Sequence, residues 1–298
     1  MNEIRINSIN DIDTIAKCFD GKLVDSTQVE KGKFDSYFKY KKFTGLFNIF
    51  YCSCISKFEV KAVTSSQFYT FYIPTRKAST ILNNVQTNNN IMFILPPDFK
   101  YQFFLKETSS SYIIQIKKHI IEDKFGKLKY QALQIENQNV MNNLIDLIII
   151  MFKLNQIDSF SISQFMVSIT ENIKFLLGNT VLPENATVKL FKNIISYMNE
   201  NYEEELSIKE ISLYFDISTR TMRNLFNEMI GCSPKKYLIA CKINKLKKEI
   251  ENNNEKLTIS KLMINNNLQF QSQIIKDFKG FFNKTPFEYK KYITTKNK

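Results

Sequence analysis

Apolar side chains recur with a helical period over residues 206–237, near the C-terminal end of the chain. The period is broken once, by a short turn, and Ser218 follows where an N-cap would satisfy the free amides of a second helix. Gly231 predicts the end of that helix, and Ser233-Pro234 predicts the start of another. This layout predicts a helix-turn-helix, which we call the first unit. Its apolar positions are Leu206, Ile208, Ile211 and Phe215, then Met222, Leu225, Phe226 and Met229.

The same plan recurs over residues 258–292, the second unit. A polar break at residues 265–267 separates two apolar stripes, and the repeated landmarks are Asn283 for Gly231, Thr285-Pro286 for Ser233-Pro234, and Tyr289 for Tyr237. The segment between the units predicts one long helix. Its apolar positions are Tyr237, Leu238, Cys241, Leu246 and Ile250. An internal repeat identifies an architecture better than a single motif does.

The second helix of a helix-turn-helix lies in the major groove and turns its polar side chains to the bases. Arginine can bind guanine and asparagine can bind adenine there. The predicted base-reading residues are Thr219, Arg220, Arg223, Asn224 and Asn227 in the first unit, and Gln271, Gln273 and Lys276 in the second. The predicted phosphate contacts are Ser233, Lys235, Lys236, Lys279 and Thr285. The alternative interpretation is a pair of helical hairpins with solvated polar faces.

Over residues 187–292 the chain resembles the AraC/XylS family of transcription regulators. The resemblance is carried by Ser218, Met222, Phe226, Gly231, Ser233-Pro234 and Tyr237, and by Phe278-Lys279, Phe282, Thr285-Pro286 and Tyr289. It implies two helix-turn-helix units joined by a long helix, a cupin-like sensing domain before them, and activation of transcription. The chain departs from the family at Asn267-Leu268 and Asn283, where the family has Gly-Phe and Gly, and at Lys242, which corresponds to an arginine of the linking helix. Asparagine is the commonest substitute where φ is positive.

The N-terminal half has a strand-like texture. Seven short runs rich in β-branched and aromatic residues lie between residues 45 and 117, without intervening helices, and predict an antiparallel barrel or sandwich. A short helix is predicted over residues 8–19, with Ser8 as its cap. The fold class is therefore α+β with two domains: an antiparallel β barrel or sandwich with helices, then an all-α domain.

Two amphipathic helices are predicted to follow the strands, over residues 137–154 and 161–177. They either close the domain core or pair with a second copy, so that Asn137–Leu177 is a candidate homodimer surface. The predicted domains are a sensing and dimerisation domain over residues 1–178, a linker over 179–186, and a DNA-binding domain over 187–298. Thr187 is the predicted cap of the first helix of the last domain.

The chain has 298 residues, of which 44% are hydrophobic, and a net charge of +12. Lys, Asn, Ile, Phe and Tyr are abundant throughout, so total basicity has a compositional explanation as well. The distribution is more informative: residues 216–298 contain 17 Lys and Arg against 7 Asp and Glu, a net charge of +10. A basic C-terminal domain is typical of phosphate binding and predicts double-stranded DNA as the partner.

Candidate enzymatic chemistry is sparse. His119 is the only histidine, whereas metal-dependent cupins and Ser-His-Asp triads need convergent ligands or partners. Cys52 and Cys54 would share one face of a strand, which favours core packing over redox sensing. Arg76 could pair with an anionic effector, although a surface arginine is the simpler interpretation. The sequence predicts no metal, no cofactor and no enzymatic activity.

The longest aliphatic run, residues 147–152, is too short to cross a membrane, and the N-terminus lacks a signal pattern, so that a cytoplasmic location is predicted. The predicted function is sequence-specific DNA binding in transcription regulation, through two recognition helices in successive major grooves. RNA polymerase and a small-molecule effector of unknown identity are further candidate partners. The alternative is a ligand- or protein-binding regulatory module in which the second helix-turn-helix is degenerate.

Overall fold

The computed structural model describes residues 2–32, 34–43, 45–75, 80–86, 90–106, 108–201, 206–252, 257–265, 268 and 271–296. An N-terminal β domain precedes a C-terminal helical domain, so the predicted fold class is confirmed. The strands of the described residues are β1 (Asn2–Ile6), β2 (Lys22–Gln28), β3 (Ser36–Phe43), β4 (Phe47–Cys54), β5 (Phe58–Val63), β6 (Phe68–Thr75), β7 (Thr80–Leu82), β8 (Val85–Gln86), β9 (Ile91–Leu95), β10 (Lys100–Leu105), β11 (Ser109–Lys117), β12 (Gln131–Gln134) and β13 (Thr180–Val181).

The strands form two sheets. The larger sheet has the order β1-β3-β4-β11-β6-β9-β12-β13, and the smaller has the order β2-β5-β10-β7-β8. Neighbouring strands are antiparallel; in the centre of the larger sheet Ile114 of β11 pairs with Ile49 of β4 and with Phe71 of β6. All three side chains are fully buried. Side chains of successive residues point to opposite faces of such a sheet, so the two faces build two separate cores.

One face of the larger sheet is covered by helices. The helices of the β domain are α1 (Ile12–Cys18), α2 (Lys118–Phe125), α3 (Gln138–Lys153) and α4 (Ser159–Leu177). Ile148 of α3 and Ile173 of α4 are buried in one cluster with Phe71 and Ile114. Asn137 caps α3 and Asp158 caps α4 through side-chain oxygens. Both predicted amphipathic helices are confirmed within two residues at each end.

Two predictions for the β domain were wrong, and three strands were missed. The described residues between 45 and 117 hold eight strands, β4 to β11, where seven were predicted. The additional strand, β8, has two residues and is too short to be recognised as a run. Strands β1, β2 and β3 come earlier, and they are hard to recognise because β3, for example, alternates poorly and is mostly half-buried. The first helix begins at Ile12 with Asp11 as its N-cap, since Ser8 instead opens a 3-10 turn with its carbonyl.

The connection between the domains is tied to the β domain. Strand β13 pairs with β12, and the backbone N–H of Asn185 donates to the carbonyl of Asn84. Asn185 is also the N-cap of the first helix of the helical domain, since its side-chain oxygen accepts from the backbone N–H groups of Thr187 and Val188. The prediction that Thr187 is the cap was therefore wrong by two residues.

The helical domain contains two helix-turn-helix units around a shared helix. Its helices are α5 (Ala186–Glu200), α6 (Ile208–Tyr214), α7 (Thr219–Ile230), α8 (Pro234–Asn252), α9 (Ile259–Asn265), α10 (Gln271–Phe282) and α11 (Pro286–Lys296). Phe226 and Tyr237 are buried in the core of the first unit, and Phe278 and Tyr289 in that of the second. Helix α8 contributes to both cores, as predicted, so that it fixes one unit against the other.

Candidate nucleic-acid interface

The first recognition helix, α7, begins and ends where the sequence predicts. Ser218 Oγ accepts a hydrogen bond of 3.0 Å from the backbone N–H of Thr221, which makes Ser218 the N-cap. Gly231 ends the helix in the left-handed conformation, with φ of 65°. Asp216, in the turn before α7, also has a positive φ of 52°, a conformation that Asp tolerates better than most residues.

The two faces of α7 differ sharply. The buried residues are Met222, Leu225, Phe226, Met229 and Ile230. Opposite them, Arg220, Arg223, Asn224 and Asn227 are exposed, and Thr219 is half-buried. The predicted polar face is thus confirmed as one accessible surface carrying two guanidinium and two amide groups. Its contact with bases stays a prediction.

Helix α6 supports α7 from a firmly capped start. Ser207 Oγ accepts from the backbone N–H of Glu210, and the Glu210 carboxylate accepts from the backbone N–H of Ser207. This reciprocal capping box satisfies two free amides of the helix. The hydrogen bonds from the Ser207 backbone and side chain lower the pKa of Glu210, so that its carboxylate is charged at neutral pH.

The second recognition helix, α10, exposes Gln273, Lys276 and Lys279, as predicted. The side chain of Gln271, and Asn267 as a whole, lie outside the described residues. Asn283 ends the helix with φ of 57°. It therefore has the left-handed backbone conformation that Gly231 has at the end of the first recognition helix.

Aligning the units on Gly231 and Asn283 shows a residue that the sequence reasoning missed. Ile275 lies eight residues before Asn283, as Arg223 lies eight residues before Gly231, and it is 37% exposed. No role was predicted for it from the sequence, because an apolar residue beside the apolar stripe of the second unit carries no polar signal of base contact. An exposed apolar side chain at a base-reading position can contact a thymine methyl group.

The predicted phosphate contacts differ between the units. In the first, Lys235 and Lys236 are exposed beside Ser233, whose Oγ accepts from the backbone N–H of Lys236. In the second, the backbone N–H of Thr285 donates to the carboxylate of Glu288 at 2.7 Å. The Thr285 hydrogen bonds lower the pKa of Glu288. A negative charge therefore sits at the start of α11, where a phosphate contact through Thr285 would have to displace it.

Helix α8 docks on the smaller sheet through buried polar contacts. The Tyr237 hydroxyl donates to Glu59 Oε2 of β5 at 2.7 Å. The Asn244 side chain bonds both backbone groups of Gln28: its Oδ1 accepts from the N–H at 3.1 Å, and its Nδ2 donates to the carbonyl at 2.8 Å. Lys248 also pairs with Asp25 of β2. The helical domain is therefore anchored to the β domain from Tyr237 to Lys248 of α8.

Comparison with known proteins gives related regulators. No protein-family model matches the chain. Uncharacterized HTH-type transcriptional regulators of Staphylococcus aureus, for example in strain COL, are 21% identical over 217 residues, which cover 70% of this chain and 29% of theirs. The match thus spans only 29% of the length of these curated relatives.

Solved structures with similar folds include two regulators. The AraC-like transcriptional activator CuxR is 14% identical, with 83% of this chain and 96% of that chain covered and a TM-score of 0.44. ToxT from Vibrio cholerae O395 is 13% identical, with 93% and 98% covered and a TM-score of 0.33. This chain is similar to AraC-like transcription regulators. The curated relatives are described as HTH-type transcriptional regulators, in agreement with the helix-turn-helix units predicted from the sequence.

The β domain contains a cavity. Its volume is about 150 Å³, and it is lined by residues of both sheets and of α1. Its lining is apolar apart from a few hydroxyl, thiol and amide groups, and none of the described lining residues is charged. Cys52 and Cys54 both line it, as the C-x-C spacing predicts. Burial raises the pKa of Cys52 to about 11 and that of Tyr101 to about 12, so both groups are neutral at pH 7.

The described part of the chain was predicted to hold no metal site. No cluster of three or more His, Cys, Asp or Glu side chains has the geometry to hold a metal ion among these residues. His119 is exposed in the first turn of α2, and Arg76 lies outside the described residues. Each helix in the described ranges is too short or too polar to cross a membrane.

Proposed function

We propose that this protein binds specific sequences in double-stranded DNA and regulates transcription. The observation that carries the proposal is the duplicated unit, in which α7 and α10 each bury an apolar face and expose a polar one. Two such helices joined by a rigid α8 suit successive major grooves on one side of the duplex, roughly 34 Å apart. The net charge of +10 over residues 216–298 supports the same partner.

The two units are proposed to read different bases. In the first, Arg220 and Arg223 suit guanine, and Asn224 suits adenine. In the second, Gln273 suits adenine, and Ile275 suits a thymine methyl group. Further base contacts from Thr219, Asn227, Gln271 and Lys276, and phosphate contacts from the residues named above, complete the proposal.

The test is selection of bound sequences from a random DNA pool by the full chain, followed by footprinting of the enriched site. We expect two protected groove segments per monomer and a conserved sequence in each. Arg220→Ala combined with Arg223→Ala should erase the preference in one segment. Arg5→Ala is the matched control, because this arginine pairs with Asp35 inside the β domain. Failure of the full chain to enrich any sequence would overturn the proposal.

Footprinting also distinguishes this function from the alternative, a regulatory module with a degenerate second unit. Protection of a single groove segment, with base preference only in that segment, would favour it. The structure supports the competent form at one point, because Asn283 keeps the left-handed backbone that the motif needs.

We propose in addition that the cavity of the β domain binds a small effector. Its volume of about 150 Å³ suits a molecule near the size of benzene, and its uncharged lining suits a neutral one. Phenol should raise the melting temperature of the full chain, whereas benzoate at the same concentration should not. Ala62→Phe, which fills the cavity from its wall, should remove the response to phenol. An equal effect of benzoate, or an unchanged response in Ala62→Phe, would contradict this assignment.

Self-association through Asn137–Leu177 is also proposed. Helix α4 exposes Phe160, Val167 and Phe175, which lie at intervals of seven and eight residues along one side, and the first and last are 72% and 70% exposed. Exposed aromatic residues in such a row are typical of a protein contact. Activation of transcription is a proposal that follows from the resemblance. Contact with RNA polymerase and a cytoplasmic location are proposed as well.

A further inference from the structure

The β domain donates a hydrogen bond to a backbone carbonyl at the same position in both recognition helices. Glu228 lies three residues before Gly231, and Gly280 lies three residues before Asn283. The carbonyl of Glu228 accepts from Lys106 Nζ at 2.7 Å, and the carbonyl of Gly280 accepts from the backbone N–H of Gly32 at 2.9 Å. Carbonyls in the last turn of a helix have no internal donor. The β domain therefore supplies the missing donor at the same place in each unit.

Lys31, next to Gly32, reaches further along α10. Its Nζ lies 2.5 Å from Asp277 Oδ1, and the Asp277 side chain is almost fully buried. The stem of the lysine crosses Gly280: a Cβ placed there would lie 3.0 Å from Lys31 Cδ. Glycine is unfavourable inside a helix. At this position it leaves the space through which the lysine reaches the carboxylate.

Asp277 in turn holds a residue on the exposed face. Gln273 Nε2 donates to Asp277 Oδ1 at 3.0 Å, the oxygen that also contacts Lys31. Because a carboxylate only accepts hydrogen bonds, the amide of Gln273 must turn its NH₂ group toward Asp277. One N–H and the carbonyl oxygen of the amide remain for other partners. These are the two groups with which glutamine recognises adenine.

Asp277 places a carboxylate at a buried core position. Aligned on the helix ends, Asp277 corresponds to Leu225 of the first unit, and both are 5% exposed. A buried carboxylate is costly without charged or hydrogen-bonding partners, whereas a leucine there needs none. Its described partners are Lys31 of the β domain and Gln273 of the exposed face. The aspartate thus connects the β domain to one base-reading side chain.

We propose that the β domain sets the base preference of the second recognition helix through the chain of contacts Lys31, Asp277 and Gln273. Asp277 is a positioning residue and Gln273 the residue that meets the base. The proposal rests on the proposed DNA-binding function. It assigns to the β domain a role in choosing the sequence in addition to any response to an effector.

The experiment is selection from a random DNA pool by the full chain and its variants, scored one base pair at a time. Gln273→Ala first identifies the base pair that Gln273 reads. Lys31→Met removes the outer contact, and Asp277→Leu restores the apolar residue that the first unit has, which keeps the core packed. Lys42→Met is the control, since it removes the same charge from a pair with Asp20 within the β domain.

We expect Lys31→Met and Asp277→Leu to reduce the preference at the Gln273 base pair at least fivefold. In both variants, the preferences at all other base pairs should stay within twofold of the parent. In the control Lys42→Met, the preference at every base pair should stay within twofold of the parent. Lys31→Met combined with Gln273→Ala should lose no more than Gln273→Ala alone, because contacts in one chain are not additive. Circular dichroism checks that each variant is folded.

Three results would overturn the inference. In the first, Lys31→Met retains the preference at the Gln273 base pair within twofold. In the second, it flattens every base pair of the second segment, which would show a purely structural role. In the third, Gln273→Ala changes no base preference although the parent selects a two-segment site. A parent that enriches no sequence would instead overturn the proposed function itself.

Discussion

Replacing Tyr237 with phenylalanine tests whether the two domains stabilise one another. The Tyr237 hydroxyl donates to Glu59 at 2.7 Å, and it accepts from Asn199 Nδ2 at 3.2 Å. Both Tyr237 and Glu59 are almost fully buried, and burial raises the pKa of Tyr237 well above its usual value, so the phenol stays a donor at every working pH. The variant removes one hydroxyl and leaves the ring in place.

The magnitude follows from the partners that remain. Glu59 keeps a hydrogen bond of 2.8 Å from Gln102 Nε2 and a looser ion pair with Lys61. A buried hydrogen bond to a charged group contributes about 1.5–3 kcal/mol, and the loss should fall near the middle of that range, about 2 kcal/mol. Glu59→Gln should couple to Tyr237→Phe by about 1 kcal/mol or more in a double-mutant cycle, since the two residues share the contact.

The assay is equilibrium unfolding of the full chain in urea, followed by far-ultraviolet circular dichroism because the protein has no tryptophan. Tyr289→Phe is the matched control. It removes the corresponding hydroxyl of the second unit, which donates to Glu251 at 2.6 Å within the helical domain. The side chain of Glu251 is partly exposed, so water can replace the lost donor and the cost should be smaller.

If the domains unfold in separate steps, Tyr237→Phe should lower the first midpoint and widen the gap between the two, because the lost contact crosses between domains. A free energy of unfolding within 0.5 kcal/mol of the parent, roughly the spread expected for neutral surface changes, would refute the reasoning. A larger loss in Tyr289→Phe than in Tyr237→Phe would also refute it.

Three further outcomes are expected. Arg223→Ala should cost ~1–3 kcal/mol on the selected DNA site and relax preference at one base pair, with random DNA unaffected; equal losses on both in a binding titration would contradict its base-reading role. Lys236→Ala should weaken binding to all sequences alike and reduce the salt slope by about one; an unchanged slope would remove it from the phosphate contacts. Phe160→Ser combined with Phe175→Ser should reduce self-association in sedimentation equilibrium, and a dimer of unchanged strength would place the contact elsewhere.

The elements defined by local chemistry could be predicted from the sequence. Ser218, Gly231 and Asn283 act on amides and backbone angles within a few residues of themselves, so a single stretch of sequence contains both cause and effect. The three N-terminal strands could not be predicted, because their register depends on partners elsewhere in the sheet. In β3, the adjacent pairs Tyr37-Phe38 and Lys41-Lys42 break the apolar alternation that marks a strand.

The exposed face of each recognition helix could be predicted from the sequence, but the buried contacts beneath it could not. Periodicity alone indicates that Arg223 and Gln273 point away from the core, and both are exposed. No role was predicted for Asp277 from the sequence, yet this residue is buried and contacts a lysine 246 positions away in the chain. A contact between residues so far apart in the chain does not affect the hydrophobic periodicity of the local sequence. Only the docking of the β domain on α10 explains why an aspartate occupies a core position.

This long-range docking bears on whether the second unit is degenerate. Its sequence departs from the motif at Asn283, which suggests a weakened copy when the unit is considered alone. In the structure Asn283 retains the left-handed backbone, and Gly32 of the β domain caps the carbonyl of Gly280. The described C-terminal end of the second recognition helix is therefore intact, but one of its hydrogen bonds comes from another domain. The base preference of the second unit therefore depends on its exposed side chains. Among these, Ile275 occupies the position of Arg223 in the first unit. This replacement predicts a changed base preference more directly than it predicts a loss of base preference.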